Sequence, residues 1–149
     1  MTLPLNVIVS VPIVLAAFTS CQTARLTKAM DLTVGSFRAS AQLVRYEYKR
    51  VVGEEMTFVY AGLSIENVGP MAETFKMDAL RLSFDQSLSG GAEVDSVAYF
   101  LPSIVVEPSA VVRRDVYWAF DGRVAPTKLG GVRLLYVPRL RPRAIEDER

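Results

Sequence analysis

The chain has 149 residues, with 17 basic and 16 acidic side chains, a formal charge of +1, one cysteine and no histidine. So even a balance gives no electrostatic basis for binding nucleic acid or another polyanion. The missing histidine excludes Ser-His-Asp and Cys-His catalysis and most catalytic zinc sites.

From Leu3 to Phe18 no residue is charged, and Val7 to Cys21 reads VIVSVPIVLAAFTSC. That run is short for a transmembrane helix, which needs about 20 apolar residues. It has the length of the apolar core of a secretory signal peptide, closed by small residues. The end of the run, Ala17-Phe18-Thr19-Ser20-Cys21, resembles the lipobox of bacterial lipoproteins. The resemblance implies cleavage between Ser20 and Cys21 and acylation of the Cys21 sulfur. It also implies a place in the bacterial cell envelope, with Gln22 after the cysteine favouring the outer membrane where the host has one. Two or three acyl chains on one residue would hold a domain at a membrane, where a single chain anchors only marginally. Two other readings stay open from the residues alone: a buried segment of the domain, or an uncleaved anchor. The expected organisation is a signal peptide over residues 1–20, a lipidated cysteine and tether over 21–30, a β domain over 31–138 and a charged tail over 139–149.

Past the tether the hydrophobic period is close to two. Asp31–Phe37 reads as a first strand. Val44, Tyr46 and Tyr48 share a face opposite Arg45, Glu47 and Lys49, and the strand ends at Gly53. Met56–Glu66 places Val59, Ala61, Leu63 and Ile65 on one side, and Asn67-Val68-Gly69-Pro70 closes it as a turn. Leu80, Leu82 and Phe84 alternate with Arg81, Ser83 and Asp85, which argues against a helix over Met71–Leu82. Gln86–Gly91 reads as a flexible loop. A short strand near Val97–Leu101 is followed by Ile104–Val106, then by Ala110–Phe120 with Val112, Val116, Trp118 and Phe120 on one face. Gly130–Val137 is the last strand. About seven short strands separated by turn signals predict an all-β antiparallel sandwich.

The order of these features, with Ile65-Glu66-Asn67-Val68-Gly69 after the central strand and Val106-Glu107-Pro108 before Val116–Phe120, resembles the immunoglobulin-like sandwich of bacterial surface lipoproteins. The resemblance implies a structural, adhesive or partner-binding module. The Cys–Trp–Cys signature of antibody domains is missing, because Trp118 has no disulfide to pack on.

No catalytic constellation stands out, and the chain reads as no enzyme, with no cofactor and no metal. Gly90-Gly91 and Gly130-Gly131 lack the spacing of a phosphate loop and read as turns. Asp78, Asp85, Glu93 and Asp95 flank one loop without the dense spacing of a calcium site. Tyr46, Tyr48 and Tyr60 are the candidate binding surface, since exposed aromatics are frequent hot spots, although cross-strand pairing within the sheet is their more common role. In the tail, Arg139, Arg141 and Arg143 are cancelled by Glu146, Asp147 and Glu148. The sequence therefore predicts a membrane-anchored envelope lipoprotein, held through lipid on Cys21, whose sandwich is structural or binds an envelope protein. The alternative is a carrier or sensor of a small apolar ligand. Nucleic acid is not expected as a partner.

Overall fold

A computed structural model describes residues 23–95 and 101–138 of the chain. The expected signal peptide, Ser20, Cys21, most of the strand near Val97–Leu101 and the charged tail lie outside the described residues. In chain order the strands are β1 (Thr23–Val34), β2 (Phe37–Val51), β3 (Glu54–Asn67), β4 (Glu73–Lys76), β5 (Leu80–Phe84), β6 (Ser87–Leu88), β7 (Glu93–Val94), β8 (Ser103–Val106), β9 (Val111–Asp121) and β10 (Arg133–Tyr136). One short helix, α1 (Pro126–Leu129), and a 3-10 turn at Met77–Ala79 complete the elements. All strand pairings are antiparallel, as the two-residue period predicts.

The long strands β1, β2 and β3 form a meander joined by two tight turns. Gly35-Ser36 links Val34 to Phe37, with glycine at the first loop position at φ +54°, where a hairpin turn needs a left-handed residue. This turn splits the stretch that the alternation alone reads as one strand through Phe37. Val52-Gly53 links Val51 to Glu54, and both loop residues have positive φ, +51° and +81°. That is the type I′ pattern, which asparagine or glycine fits and a β-branched residue fits poorly.

The first strand starts at Thr23, eight residues before the expected Asp31. Thr23–Met30 is no tether: Thr23 pairs with Glu47, Arg25 with Arg45 and Met30 with Ala41. Its inward positions, Ala24, Leu26, Lys28 and Met30, include a lysine, which gives the segment its polar look. Lys28 lies on the open edge of the sheet, and its ammonium donates to the Gly130 carbonyl, so the stem covers apolar surface while the charge escapes.

A second correction falls on β2. Val44 does not share a face with Tyr46 and Tyr48. Leu43 pairs with Ala61 and Arg45 with Tyr60, so Val44 is extruded as a β-bulge and is 54% exposed. Such an extra residue reverses the parity of the strand. Before it Phe37, Ala39, Ala41 and Leu43 point inward; after it Tyr46 and Tyr48 do, and Arg45, Glu47 and Lys49 point outward.

The main sheet has the order β1-β2-β3-β9-β7, and its inner face is covered by the small sheets β10-β5-β6 and β4-β8. The core between these layers holds Val59, Leu63, Ile65, Phe75, Leu80 and Trp118 among its most buried side chains. Trp118 is fully buried and donates its indole N–H to the Leu80 carbonyl at 3.0 Å, tying the two layers together. Asn67, also fully buried, closes the β3 end: its amide donates to Val106 O and Met71 O at 2.9 and 2.7 Å, and its carbonyl accepts from Gly69 N. Glycine is required at position 69, where a Cβ would lie 2.7 Å from Ser36 Oγ.

The stretch Gln86–Gly91 is pinned, against its flexible composition. Ser89 is buried and exchanges two hydrogen bonds with the Leu82 amide and carbonyl, and Gly90 N bonds to Ala119 O. A Cβ at Gly91 would sit 2.4 Å from Asp78 O, so glycine at position 91 serves close packing.

Candidate functional site

The parity change at Val44 fixes what the outer face of the main sheet presents. With Arg45, Glu47 and Lys49 turned outward on β2, the register places Arg45 beside Tyr60 of β3, Tyr60 beside Tyr117 of β9, and Tyr117 beside Glu93 of β7. One row of four side chains therefore crosses four strands. The next row places Glu47 beside Phe58 and Phe58 beside Ala119.

The row is held by direct contacts. The Arg45 guanidinium lies 3.6 Å from the Tyr60 ring centroid, a cation–π distance. The Tyr60 and Tyr117 rings are 5.8 Å apart, and Tyr117 is equally 5.8 Å from Phe58. The Tyr117 hydroxyl donates to Glu93 Oε2. Beside it, Glu47 gathers three donors: Arg45 on Oε1, with Lys49 Nζ at 3.0 Å and the Tyr60 hydroxyl at 3.1 Å on Oε2. Lys49 also donates to the Tyr60 oxygen at 3.1 Å.

These contacts set the protonation states. Burial alone would raise the Glu47 pKa, but hydrogen bonds from Lys49 and Tyr60 and the charges of Lys49 and Arg45 outweigh it and hold the carboxyl below its ordinary value. Lys49 is raised chiefly by its bonds to Glu47 and Tyr60. Tyr117 is pushed up to about 12, first by its hydrogen bond to Glu93, then by burial and the nearby carboxylate charge. The face is thus an aromatic platform with an ionised carboxylate clamped between two cations. It offers donors, acceptors and ring edges for recognition.

The three sequence-predicted tyrosines do not form one surface. Tyr60 belongs to the outer row, whereas Tyr46 and Tyr48 point to the opposite side of the sheet. Tyr46 is 8% exposed and part of the core, with its ring 5.4 Å from Tyr48 in an edge arrangement. Tyr48 donates its hydroxyl to Val124 O at 2.6 Å and carries the Arg123 guanidinium 4.5 Å from its ring. Burial, with Tyr46 beside it, raises the Tyr48 pKa against the opposing charge of Arg123. Tyr46, Tyr48, Arg123, Ala125 and Pro126 border a shallow depression there. The reason for the split is parity: even residues of β2 after the bulge face inward, and even residues of β3 face outward.

Phe58, Tyr117 and Glu93 were missed as site residues. Phe58 and Tyr60 alternate with core Val59 and Ala61, so two outward aromatics were readable. Their meeting with Tyr117 depends on β9 pairing with β3, which no local pattern reports. The carboxylates Asp78, Asp85, Glu93 and Asp95 do not converge, and the described residues hold no cluster of three or more His, Cys, Asp or Glu suited to a metal. No helix among the described residues is long and apolar enough to cross a membrane. The chain matches no protein family, no curated protein and no solved structure with which it was compared.

Proposed function

We propose that this chain is a lipid-anchored envelope protein, tethered through acylated Cys21, whose β-sandwich binds a protein partner on the outer face of its main sheet. The observation that carries the binding role is the cross-strand row Arg45–Tyr60–Tyr117–Glu93. Tyrosine and arginine are the residue types that dominate binding energies at protein interfaces, and here cross-strand contacts hold them in place, which lowers the entropy lost on docking. The anchor rests on the lipobox-like Phe18-Thr19-Ser20-Cys21. A role without catalysis is part of this reading, supported by the absence of histidine-based triads.

The finer, immunoglobulin-like assignment is supported by two facing antiparallel layers and opposed by the meander. In an immunoglobulin constant domain the third strand crosses to the other sheet, whereas here β3 stays beside β2. The carrier reading needs an unfilled space between the layers; the interior instead holds Trp118, Phe75, Leu80 and Leu82 at full burial, and no observation favours it.

A photoreactive residue at position 58 of the full chain, compared with one at exposed Val105 on the other layer, tests the binding face in envelope preparations. The reading expects a discrete protein adduct from position 58 that Tyr117→Ala abolishes. Equal adducts from both positions, or none from 58, would count against it.

A further inference from the structure

The β2–β3 hairpin tip combines two features that a hairpin normally avoids. Val52 is 99% exposed, and it holds φ +51° although its side chain is β-branched. Val51 beside it is 39% exposed. Turns of this type take asparagine, aspartate or glycine at both loop positions, so strain and apolar exposure are combined at one residue. Strained backbone of this kind clusters at functional positions.

The register says where that tip points. Thr23, the first residue of β1, pairs with Glu47, so the start of β1 and the Val51–Glu54 turn share one end of the main sheet. Cys21 stands two residues before Thr23 in the chain. Two residues reach at most about 7 Å, whereas the turn, five residues past Glu47, projects roughly 16 Å beyond the level of Thr23 at about 3.3 Å per residue. β1 begins at Thr23, so a span of two residues separates an anchor at Cys21 from the first strand. The charges near the tip offset one another: Lys49, Arg50 and Arg123 stand against Glu54, Glu55 and Asp121, with Arg123 3.9 Å from Glu55.

The geometry points to a second membrane contact: the Val51-Val52-Gly53 tip enters the interfacial zone of the bilayer that holds the Cys21 lipid. This rests on the reading of Cys21 as acylated. Val51 and Val52 supply the apolar side chains, and the flanking charges sum to zero, so the contact does not depend on anionic lipid. It fixes the domain at two points.

The test uses the full chain carrying Val52→Cys, extracted from its membrane, weighed for acyl mass and placed in phosphatidylcholine vesicles. Acylation blocks the Cys21 sulfur, so position 52 alone takes a polarity-sensitive dye. Val68→Cys, exposed at the opposite end of the sheet, serves as control. The proposal expects a blue-shifted emission at 52 and several-fold stronger quenching there by nitroxide on lipid chains, both unchanged at about 1 M salt, where charges are screened within 3 Å. Equal quenching at 52 and 68 on acylated protein would overturn the tip contact and leave the anchor standing. Quenching at 52 lost in high salt would overturn its apolar character. Absence of acyl mass would overturn the anchor and the tip contact together.

Discussion

Trp118 of the main sheet and Leu80 of the covering layer are joined by an indole-to-carbonyl hydrogen bond of 3.0 Å between two fully buried residues. Trp118→Phe removes that donor and part of the ring at once. A buried hydrogen bond is worth about 1 kcal/mol net, and the unfilled volume adds a cavity cost. A loss of about 2–3 kcal/mol is expected by urea denaturation, with the Leu80 carbonyl keeping its bond from Ala92 N. An unchanged unfolding midpoint would show that the two layers are not tied at this point.

Val52→Asn acts in the opposite sense. It replaces a β-branched residue at φ +51° by one that tolerates the left-handed region. A gain of about 1 kcal/mol is expected, read by the same denaturation. The same change removes an apolar side chain from the tip, so with the dye moved to Val51→Cys the Val52→Asn background should show weaker quenching, and stability and membrane contact move in opposite directions. Loss of stability on this change would mean that the turn is not left-handed at Val52.

Tyr117 supplies a pH prediction. Its folded pKa, about 12, lies above the ordinary 10.0, so its neutral form is favoured in the folded chain. Its contribution is complete below pH 10 and is lost as pH rises towards 12. Absorbance titration should show one tyrosine ionising last, and Glu93→Gln should bring it down. Glu47 works in reverse: its folded pKa is depressed, so its contribution is present above the ordinary carboxylate range and lost as pH falls below it. Glu47→Gln should flatten the acid limb of the stability profile.

How much of this was legible beforehand depends on whether the two-residue period is unbroken. β3 has no bulge, and its alternation of Val59, Ala61, Leu63 and Ile65 was readable without error. In β9 the shared face of Val116, Trp118 and Phe120 was equally clear. In β2 the alternation of Tyr46 and Tyr48 with Arg45, Glu47 and Lys49 was right, but Val44 was placed with the tyrosines because an extruded valine looks like any other in the sequence. The Asp31–Val34 part of β1 was readable, but its start at Thr23–Met30 was mistaken for a tether because Lys28 turns inward at a sheet edge and breaks the apolar alternation. The site suffered from the same cause. Arg45, Glu47 and Lys49 were seen as one charged face, but Tyr60 was assigned beside Tyr46 and Tyr48. The true neighbours, Tyr117 and Glu93, come from strands whose order is a property of the whole sheet.

The central claim is that the domain is held at a membrane through Cys21, and one measurement addresses it most directly: the intact mass of the protein extracted with detergent, beside a Cys21→Ser variant. The account predicts a wild-type chain beginning at Cys21 with the added mass of acyl groups, and no such species from the variant. Wild-type protein that retains Met1 and carries no lipid would contradict the anchor, and the envelope location would fall with it.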